Sequence, residues 1–395
     1  MNVLDLRTPA FVVDVAALQR NAAVLADVAE RAGARMLLAL KAFSMPAAFP
    51  YMKAAGTCAS SVHEARLGKE AFGGERHVFA AAFSEAEMRE LMALGIDHIT
   101  FNSFAQLRQW QRLAREMPGA ARVALGLRIN PEHSEGQVPL YDPCAPHSRL
   151  GIRREAFAGQ DLTGITGLHC HNLCEQNADC FARTLEAIEA KFGDLLRSGQ
   201  ITWFNFGGGH HITRADYDRE LLVRTLQGFH ARYPHIAYCL EPGEAHVLNA
   251  GTFVCTVLDV VDNAGPIAIL DGSAACHTPD VMEMPYVPRA FIDEAWQGEA
   301  APGPTALRAG KPGEKAHTVR LAGPSCLAGD FFGEYSFDRL PQPGDRILFE
   351  DMALYTMVKT NTFNGIRLPD LCLCTAPGHI EVVRTFGYDD FRSRL

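Results

Sequence analysis

The chain has 395 residues, 48% of them hydrophobic and 21% charged, and a formal net charge of −9. This length predicts one large and one smaller domain, and the negative charge argues against a nucleic-acid-binding protein. No apolar run is long enough to span a bilayer, and the amino terminus lacks the pattern of a secretion signal. We therefore expect a cytoplasmic protein in which most of the 11 cysteines are buried thiols.

The first predicted element is a helix over residues 16–32, whose apolar positions recur at helical spacing until Gly33. Eight strands are predicted next, and helical patterns separate most of them, most clearly over 178–196 and 216–232. These strands are 36–40, 57–60, 77–81, 98–102, 123–129, 165–171, 203–206 and 237–240. Eight such units in about 220 residues favour a (β/α)8 TIM-like barrel. The alternative is a doubly wound sheet, which usually has fewer strands and a glycine-rich turn after its first.

After Gly251 the pattern becomes β-rich, with Gly and Pro turns and no long helical segment. Strands are predicted over 252–261, 267–270, 317–321, 346–350 and 380–386, with a surface loop over 298–314. The run 10–13 can pair with these strands. We therefore predict α/β plus all-β architecture: a barrel over 14–250, and a C-terminal β-sandwich or β-barrel domain over 251–395 that includes 1–13.

Lys41 follows the apolar run that ends at Leu40, so we expect its side chain at the mouth of the barrel. A charged amine is costly to bury unless it is neutral or used covalently. A desolvated lysine has a lowered pKa and can form a Schiff base. The alternative is an ordinary solvated charge.

Three consecutive glycines, Gly207, Gly208 and Gly209, follow the seventh predicted strand. Glycines allow backbone N–H groups to converge on a phosphate, and barrel phosphate sites often follow strands seven and eight. The position of the cluster favours an anion site over a simple tight turn.

Glu241 ends the eighth strand in a Glu-Pro-Gly motif. A carboxylate there can keep a pyridine nitrogen protonated, although the motif could also merely end the strand. Arg128, on the fifth strand, could pair with Glu241 or form another structural ion pair. His169 and His171 share one face of the sixth strand, and predict either a metal pair or an imidazole stacked on a flat ring.

The β-rich region carries further candidates. Cys326, in a Gly-Pro-Ser-Cys motif, could be a thiol acid or an inert loop cysteine. Asp330 follows it. Tyr355 could donate a hydrogen bond to a phosphate or belong to the core, and Asp280 could bind a substrate amine or form a turn.

Together these residues resemble the alanine racemase-like (fold type III) pyridoxal phosphate (PLP) decarboxylases, from Thr8 to Gly387. The resemblance implies that Lys41 carries PLP, that His171 stacks on its ring and that Glu241 binds the ring nitrogen. The other predicted cofactor-binding residues are Gly207, Gly208, Gly209, Arg128 and Tyr355. With its nitrogen kept protonated by Glu241, the ring of the cofactor would be an electron sink.

The same resemblance assigns Cys326 as the acid that protonates the product. In relatives this loop enters the active site of the partner subunit, which implies a homodimer with shared active sites. The predicted catalytic residues are therefore Lys41, Cys326, His171 and Glu241.

Residue 244 departs from the usual family pattern. Ornithine, arginine and diaminopimelate decarboxylases usually have Glu-Pro-Gly-Arg, whereas this chain has Glu-Pro-Gly-Glu. The added carboxylate, together with the segments 139–144 and 148–151, resembles the branch of the family that acts on carboxylated polyamines. This implies loss of CO2 from carboxynorspermidine or carboxyspermidine, with Glu244, Asp280 and Asp330 binding the substrate's amines.

Three alternatives stay open from the sequence. One is a PLP decarboxylase of a basic diamino acid, such as meso-diaminopimelate, ornithine or lysine. Another is a metal-dependent barrel hydrolase that uses His169 and His171. The third is a noncatalytic PLP-binding barrel, which would have no need of the added β domain with Cys326.

Overall fold

The computed structural model describes residues 3–117, 122–136, 139 and 142–395. The chain forms two compact units, Asn21–His246 and Met1–Arg20 with Val247–Leu395. Leu140 and Tyr141, part of the segment 139–144 noted above, lie outside the described residues. Among the described residues, no helix has the length and apolar character needed to cross a membrane.

The first unit, Asn21–His246, contains a closed barrel of eight parallel strands. In chain order the strands are Arg35–Ala39, Gly56–Ala59, Glu75–Phe79, His98–Phe101, Ala124–Asn130, Ile165–His169, Trp203–Asn205 and Ala237–Leu240. Each pairs with the next, and the eighth pairs with the first to close the cylinder. A two-residue strand, Ile152–Arg153, adds to the fifth. The predicted barrel is confirmed, and the doubly wound sheet is excluded.

Helices alternate with the barrel strands. They are Val15–Ala32, which begins in the other unit, Val62–Leu67, Glu85–Leu94, Phe104–Ala114, Ala178–Arg197, Arg219–Arg232 and Gly243–Val247. Local sequence explains their ends: Ser84 and Glu87 form a reciprocal capping box, for example, and left-handed Gly95 ends that helix. The helix Ala178–Arg197 buries Phe181, Leu185 and Ile188 at helical spacing, which holds it against the barrel core.

The interior of the barrel is filled by side chains. A Cβ at Gly126 or Gly167 would lie 2.5 Å or 1.8 Å from ring atoms of Trp203, so glycine is required for this indole to fit. The Trp203 indole nitrogen donates a hydrogen bond to Thr166 Oγ1 at 3.1 Å. The site therefore has to be built at the strand ends and not inside a pore.

The second unit is a ten-stranded, mostly antiparallel sheet assembly. Its strands are Ala10–Asp14, Gly251–Asp262, Pro266–Leu270, Ala290–Ile292, Leu307–Arg308, His317–Ala322, Phe331–Phe337, Arg346–Glu350, Asp370–Ala376 and His379–Arg384. The first of these pairs antiparallel with the second and parallel with the ninth, which confirms the expected pairing of the run 10–13. The strands at 290–292, 307–308, 331–337 and 370–376 were not predicted. Three short helices, Ala274–His277, Asp280–Glu283 and Tyr388–Arg392, complete the unit.

Candidate active site

The carboxyl ends of the last three barrel strands bring four polar side chains together. Glu241 Oε2 lies 3.9 Å from His169 Nε2 and 3.9 Å from His171 Nδ1. Asn205, at the end of the seventh strand, donates a hydrogen bond to Glu241 Oε1 at 2.5 Å. Asn205 was not predicted from the sequence, although a polar residue inside the apolar run that precedes the glycines could have indicated it.

Glu241 is almost completely buried. Burial alone would raise its pKa, but the adjacent imidazoles of His171 and His169 lower it, and the net pKa lies well below the usual value. The site therefore holds an ionised carboxylate away from water, with the Asn205 amide as its direct hydrogen-bond donor. Such a group can stabilise a positive charge on a ligand.

The two histidines are neutral in this setting. Burial lowers the pKa of His169 to about 3. Burial, and then the charge of Lys41, lower the pKa of His171 to about 4. Neither ring nitrogen of His169 has a hydrogen-bond partner among the described residues. One ligand atom from each of His169, His171 and Glu241 lies within 4.8 Å of the others. The geometry thus adds Glu241 as a third ligand to the metal site that His169 and His171 could form, a ligand that was not identified from the sequence.

The loop of three glycines lies against the sixth and eighth strand ends. Gly207 and Gly209 have left-handed φ values of +70° and +82°. A Cβ at Gly207 would lie 2.6 Å from His171 Cβ, and one at Gly208 would lie 2.6 Å from the Glu241 carbonyl oxygen. Glycine is therefore needed here for both conformation and space.

The first two N–H groups of this loop each donate to a different side chain. Gly207 N–H donates to Asn205 Oδ1 at 2.8 Å, and Gly208 N–H donates to His171 Nδ1 at 3.1 Å. The N–H of Gly209 has no acceptor among the described residues. An anion such as a phosphate would satisfy it, so the loop fits the predicted cradle.

Lys41 lies two residues beyond the first strand and is partly buried. No hydrogen bond or ion pair of its side chain is found within the described ranges, while its charge acts on His171. This places an amine that lacks a fixed partner beside the group of Glu241 and the histidines. Such an amine is suited to covalent attachment of a carbonyl group.

Arg128 is buried on the fifth strand, and burial lowers its pKa. It donates a hydrogen bond to the His171 carbonyl oxygen at 2.6 Å, and its guanidinium lies 4.6 Å from the centre of the Phe79 ring. No ion pair with Glu241 is found among the described residues. Arg128 therefore supports the backbone that carries His171, in place of the pairing considered from the sequence.

Glu244 lies one residue into the short helix Gly243–Val247 and is hydrogen-bonded to His211, with 2.7 Å between Glu244 Oε2 and His211 Nε2. Glu175 completes a group whose ligand atoms lie within 4.8 Å of one another. Burial lowers the pKa of His211, but the hydrogen bond to Glu244 and the negative charges of Glu244 and Glu175 together outweigh burial, and the net pKa is raised. The contact of buried His211 with Glu244 was not predicted from the sequence.

The remaining candidates lie in the β unit. Cys326 is exposed, whereas Asp330 is buried and hydrogen-bonded. Asp280 begins a one-turn helix instead of lying in a loop, and it forms an ion pair with Lys359. Tyr355 has a left-handed φ of +49°, and Lys359 Nζ lies 6.0 Å from the centre of its ring.

The chain is similar in sequence to several known decarboxylases. The family model described as pyridoxal-dependent decarboxylase, C-terminal sheet domain, matches residues 11–353. A carboxyaminopropylagmatine decarboxylase from Synechocystis is 41% identical over 395 residues, covering 99% of this chain and 96% of the relative. A carboxynorspermidine/carboxyspermidine decarboxylase from Campylobacter jejuni is 40% identical over 393 residues, covering 98% of each chain.

A solved structure agrees with these matches. The crystal structure of carboxynorspermidine decarboxylase complexed with norspermidine, from Campylobacter jejuni, superposes with a TM-score of 0.85 at 38% identity. The match covers 99% of this chain and all of that one (100%). The resemblance inferred from the motifs is confirmed along nearly the whole sequence, and the chain belongs to the pyridoxal-dependent decarboxylase family.

Proposed function

We propose that this protein removes CO2 from carboxynorspermidine, and from carboxyspermidine, to give norspermidine and spermidine, with PLP as its cofactor. One observation carries the proposal: relatives matched over nearly their full lengths are named decarboxylases of such carboxylated polyamines. The barrel residues described above provide the chemistry that a PLP decarboxylase needs. A cytoplasmic location remains a prediction.

The described residues fit PLP. Lys41 would attach the cofactor, Gly209 and its neighbours would bind the phosphate, and Tyr355 would add a hydrogen bond. Glu241 would hold the ring nitrogen and His171 would stack on the ring. When bound, PLP accepts the electron pair released as the bond between Cα and the carboxylate breaks.

The protein's own groups prepare this chemistry. Glu241 is ionised and buried, so it favours a protonated ring nitrogen. Burial keeps His171 neutral, so its imidazole can lie against an electron-poor ring without adding a like charge. Asn205 fixes one Glu241 oxygen and leaves the other directed between the histidines.

The substrate's amines require carboxylates. We propose Glu244 and Asp280 for this role, as the sequence predicts. Each already has a cationic or hydrogen-bonding partner: His211 for Glu244, and Lys359 for Asp280. Asp330 was predicted to share this role, but both of its oxygens accept hydrogen bonds within the β unit.

Cys326 is proposed as the acid that protonates Cα after CO2 has left. We also propose a homodimer with shared sites, which the family resemblance supports because in relatives this loop enters the partner subunit's active site. No further partner is proposed. Sedimentation of the purified protein, and mixing of Lys41→Ala with Cys326→Ala protein, test the dimer. Recovery of activity in the mixture is expected, because one site in a mixed dimer would be intact.

A second candidate substrate is carboxyaminopropylagmatine, favoured by the relative that is 41% identical. The decisive experiment measures CO2 release by the PLP-loaded protein from several substrates side by side. These are carboxynorspermidine, carboxyspermidine, carboxyaminopropylagmatine, ornithine, lysine and meso-diaminopimelate. Highest kcat/KM for carboxynorspermidine or carboxyspermidine supports the proposal. Preference for carboxyaminopropylagmatine would replace the substrate, and preference for a simple diamino acid would contradict the role of Glu244.

A further inference from the structure

The loop that carries Cys326 is fixed by a buried carboxylate. Asp330 Oδ2 accepts hydrogen bonds from Ser273 Oγ at 2.8 Å and from the N–H of Ser325 at 3.3 Å. Asp330 Oδ1 accepts from the N–H of Ala275 at 3.1 Å. With three donors from its own unit, this carboxylate is occupied by the protein.

The approach of Asp330 explains the first residue of the Gly-Pro-Ser-Cys motif. A Cβ at Gly323 would lie 2.3 Å from Asp330 Oδ2 and 2.5 Å from its carboxyl carbon. The Gly323 N–H also donates to the Asp330 carbonyl oxygen at 2.9 Å. Only glycine leaves room for the carboxylate to lie beneath the loop.

The amide that follows Ser325 in the loop donates to a different side chain. The N–H of Cys326 itself donates to Asn364 Oδ1 at 2.8 Å. Asn364 has a φ of +57°, a left-handed conformation that asparagine and glycine adopt most readily. The segment 361–365 thus contacts the backbone of the proposed acid directly.

The two anchors are connected to each other. Asn361 Nδ2 donates to the Ala275 carbonyl oxygen at 2.9 Å, and Asn361 N–H donates to that of Cys276 at 2.8 Å. The helix Ala274–His277 therefore joins the Asp330 anchor to the segment that bears Asn364. The consecutive amides of Ser325 and Cys326 are held from both sides by one hydrogen-bonded frame.

We propose that Asp330 and Asn364 are positioning residues that orient Cys326 as an acid. This inference rests on the proposed function. After CO2 leaves, the thiol S–H bond breaks and a C–H bond forms at Cα, and the thiolate then regains a proton from water. A thiol on a loop reaches one face of a carbon reproducibly only if its backbone is fixed, and two anchored amides supply that constraint.

The test uses substitutions at Asn364 that keep the backbone conformation. Asn364→Gly keeps the left-handed φ and removes the acceptor, whereas Asn364→Asp keeps an oxygen acceptor. Asn249→Gly is the matched control, because Asn249 is also left-handed (φ +50°) and its Oδ1 accepts a hydrogen bond from the exposed side chain of Arg289. Asp330→Asn is a second variant. It replaces an accepting carboxylate oxygen by an NH2 group, next to the groups that donate hydrogen bonds to Asp330.

Two readouts are measured. In the PLP-loaded enzyme with carboxynorspermidine, Asn364→Gly should lower kcat about tenfold to a hundredfold with KM unchanged. Asn364→Asp should restore kcat, and Asn249→Gly should leave it unchanged. In a Cys326→Ala background, Asn364→Gly should have no further effect, because both changes act through one group. Without substrate, hydrogen exchange of the Cys326 amide should be faster in Asn364→Gly than in the wild type.

Failure of the positioning role and failure of the proposed function would give different results. Wild-type kcat in Asn364→Gly, together with impaired Cys326→Ala, would overturn the positioning role and leave the proposed function intact. Wild-type turnover by Cys326→Ala would overturn the acid assignment, and the positioning role with it. Unchanged exchange of the Cys326 amide in Asn364→Gly would overturn the inference even for a protein with a different substrate.

Discussion

His211 Nε2 donates a hydrogen bond to Glu244 Oε2 at 2.7 Å, and both side chains are largely buried. The bond joins the loop that follows the seventh barrel strand to the helix that follows the eighth. From the sequence motif, we expect ornithine, arginine and diaminopimelate decarboxylases to have an arginine where this chain has Glu244. The pair therefore shows that the replacement carboxylate has a defined partner, which leads to two predictions.

The first prediction concerns stability and pH. Burial lowers the pKa of His211, but the hydrogen bond to Glu244, together with the negative charges of Glu244 and Glu175, raises it overall. Because the pKa of His211 is raised in the folded state, its protonation stabilises the folded protein at pH values below the unfolded pKa of about 6.5. This stabilisation disappears as the pH rises through the folded pKa. We expect Glu244→Gln to lose about 1.5–3 kcal/mol at about pH 6 and much less at about pH 9. Thermal unfolding of the cofactor-free protein at both pH values measures this, and equal losses would contradict it.

The second prediction concerns the substrate. Glu244→Arg restores the usual family residue and removes a carboxylate that we propose binds an amine. KM for carboxynorspermidine should rise at least about tenfold, a loss of about 1.4 kcal/mol of binding, while PLP affinity changes little. Steady-state kinetics and a PLP titration separate the two effects. An unchanged KM would remove Glu244 from the substrate site.

Lys41→Ala should abolish CO2 release and the absorbance of covalently bound cofactor, because Lys41 is the lysine whose charge acts on both His169 and His171 among the described residues. Lys53→Ala is the matched control, since Lys53 is exposed in the same unit. Absorbance spectra of both variants after addition of PLP, together with CO2 assays, make the comparison. Near-normal turnover of Lys41→Ala would disprove the assignment.

Gly208→Ala should weaken PLP binding at least about tenfold. The added Cβ would lie 2.6 Å from the Glu241 carbonyl oxygen and 3.2 Å from His171 Cε1, so the loop has to move. Gly387→Ala is the control, because no atom lies within 4 Å of the Cβ it would add. Fluorescence titration with PLP gives both Kd values. Equal affinities would show that the three glycines do not form the cradle.

Glu241→Gln should lower kcat about 100-fold to 1000-fold, because the amide removes the buried negative charge proposed to keep the ring nitrogen protonated. PLP should still attach to Lys41, so the spectrum separates loss of chemistry from loss of cofactor. Wild-type kcat with cofactor bound would show that Glu241 merely ends its strand.

The sequence determined the architecture because the pattern of apolar residues is local. Alternating strands and helices predicted the barrel, and parallel strands place their carboxyl ends on one rim. His169, Gly207 and Glu241, which are far apart in the chain, could therefore be assigned to one place from their positions alone. The strands at 331–337 and 370–376 were missed, since neither shows a clean two-residue alternation of burial.

Only the tertiary structure decided which polar groups bond to one another. The pairs His211 with Glu244 and Asn364 with the Cys326 amide left no mark in the local sequence, and the polar position of Asn205 did not identify Glu241 as its partner. A hydrogen bond requires two atoms within about 3 Å and aligned. That geometry depends on how distant strands and loops pack, whereas the choice between helix and strand depends on neighbours along the chain.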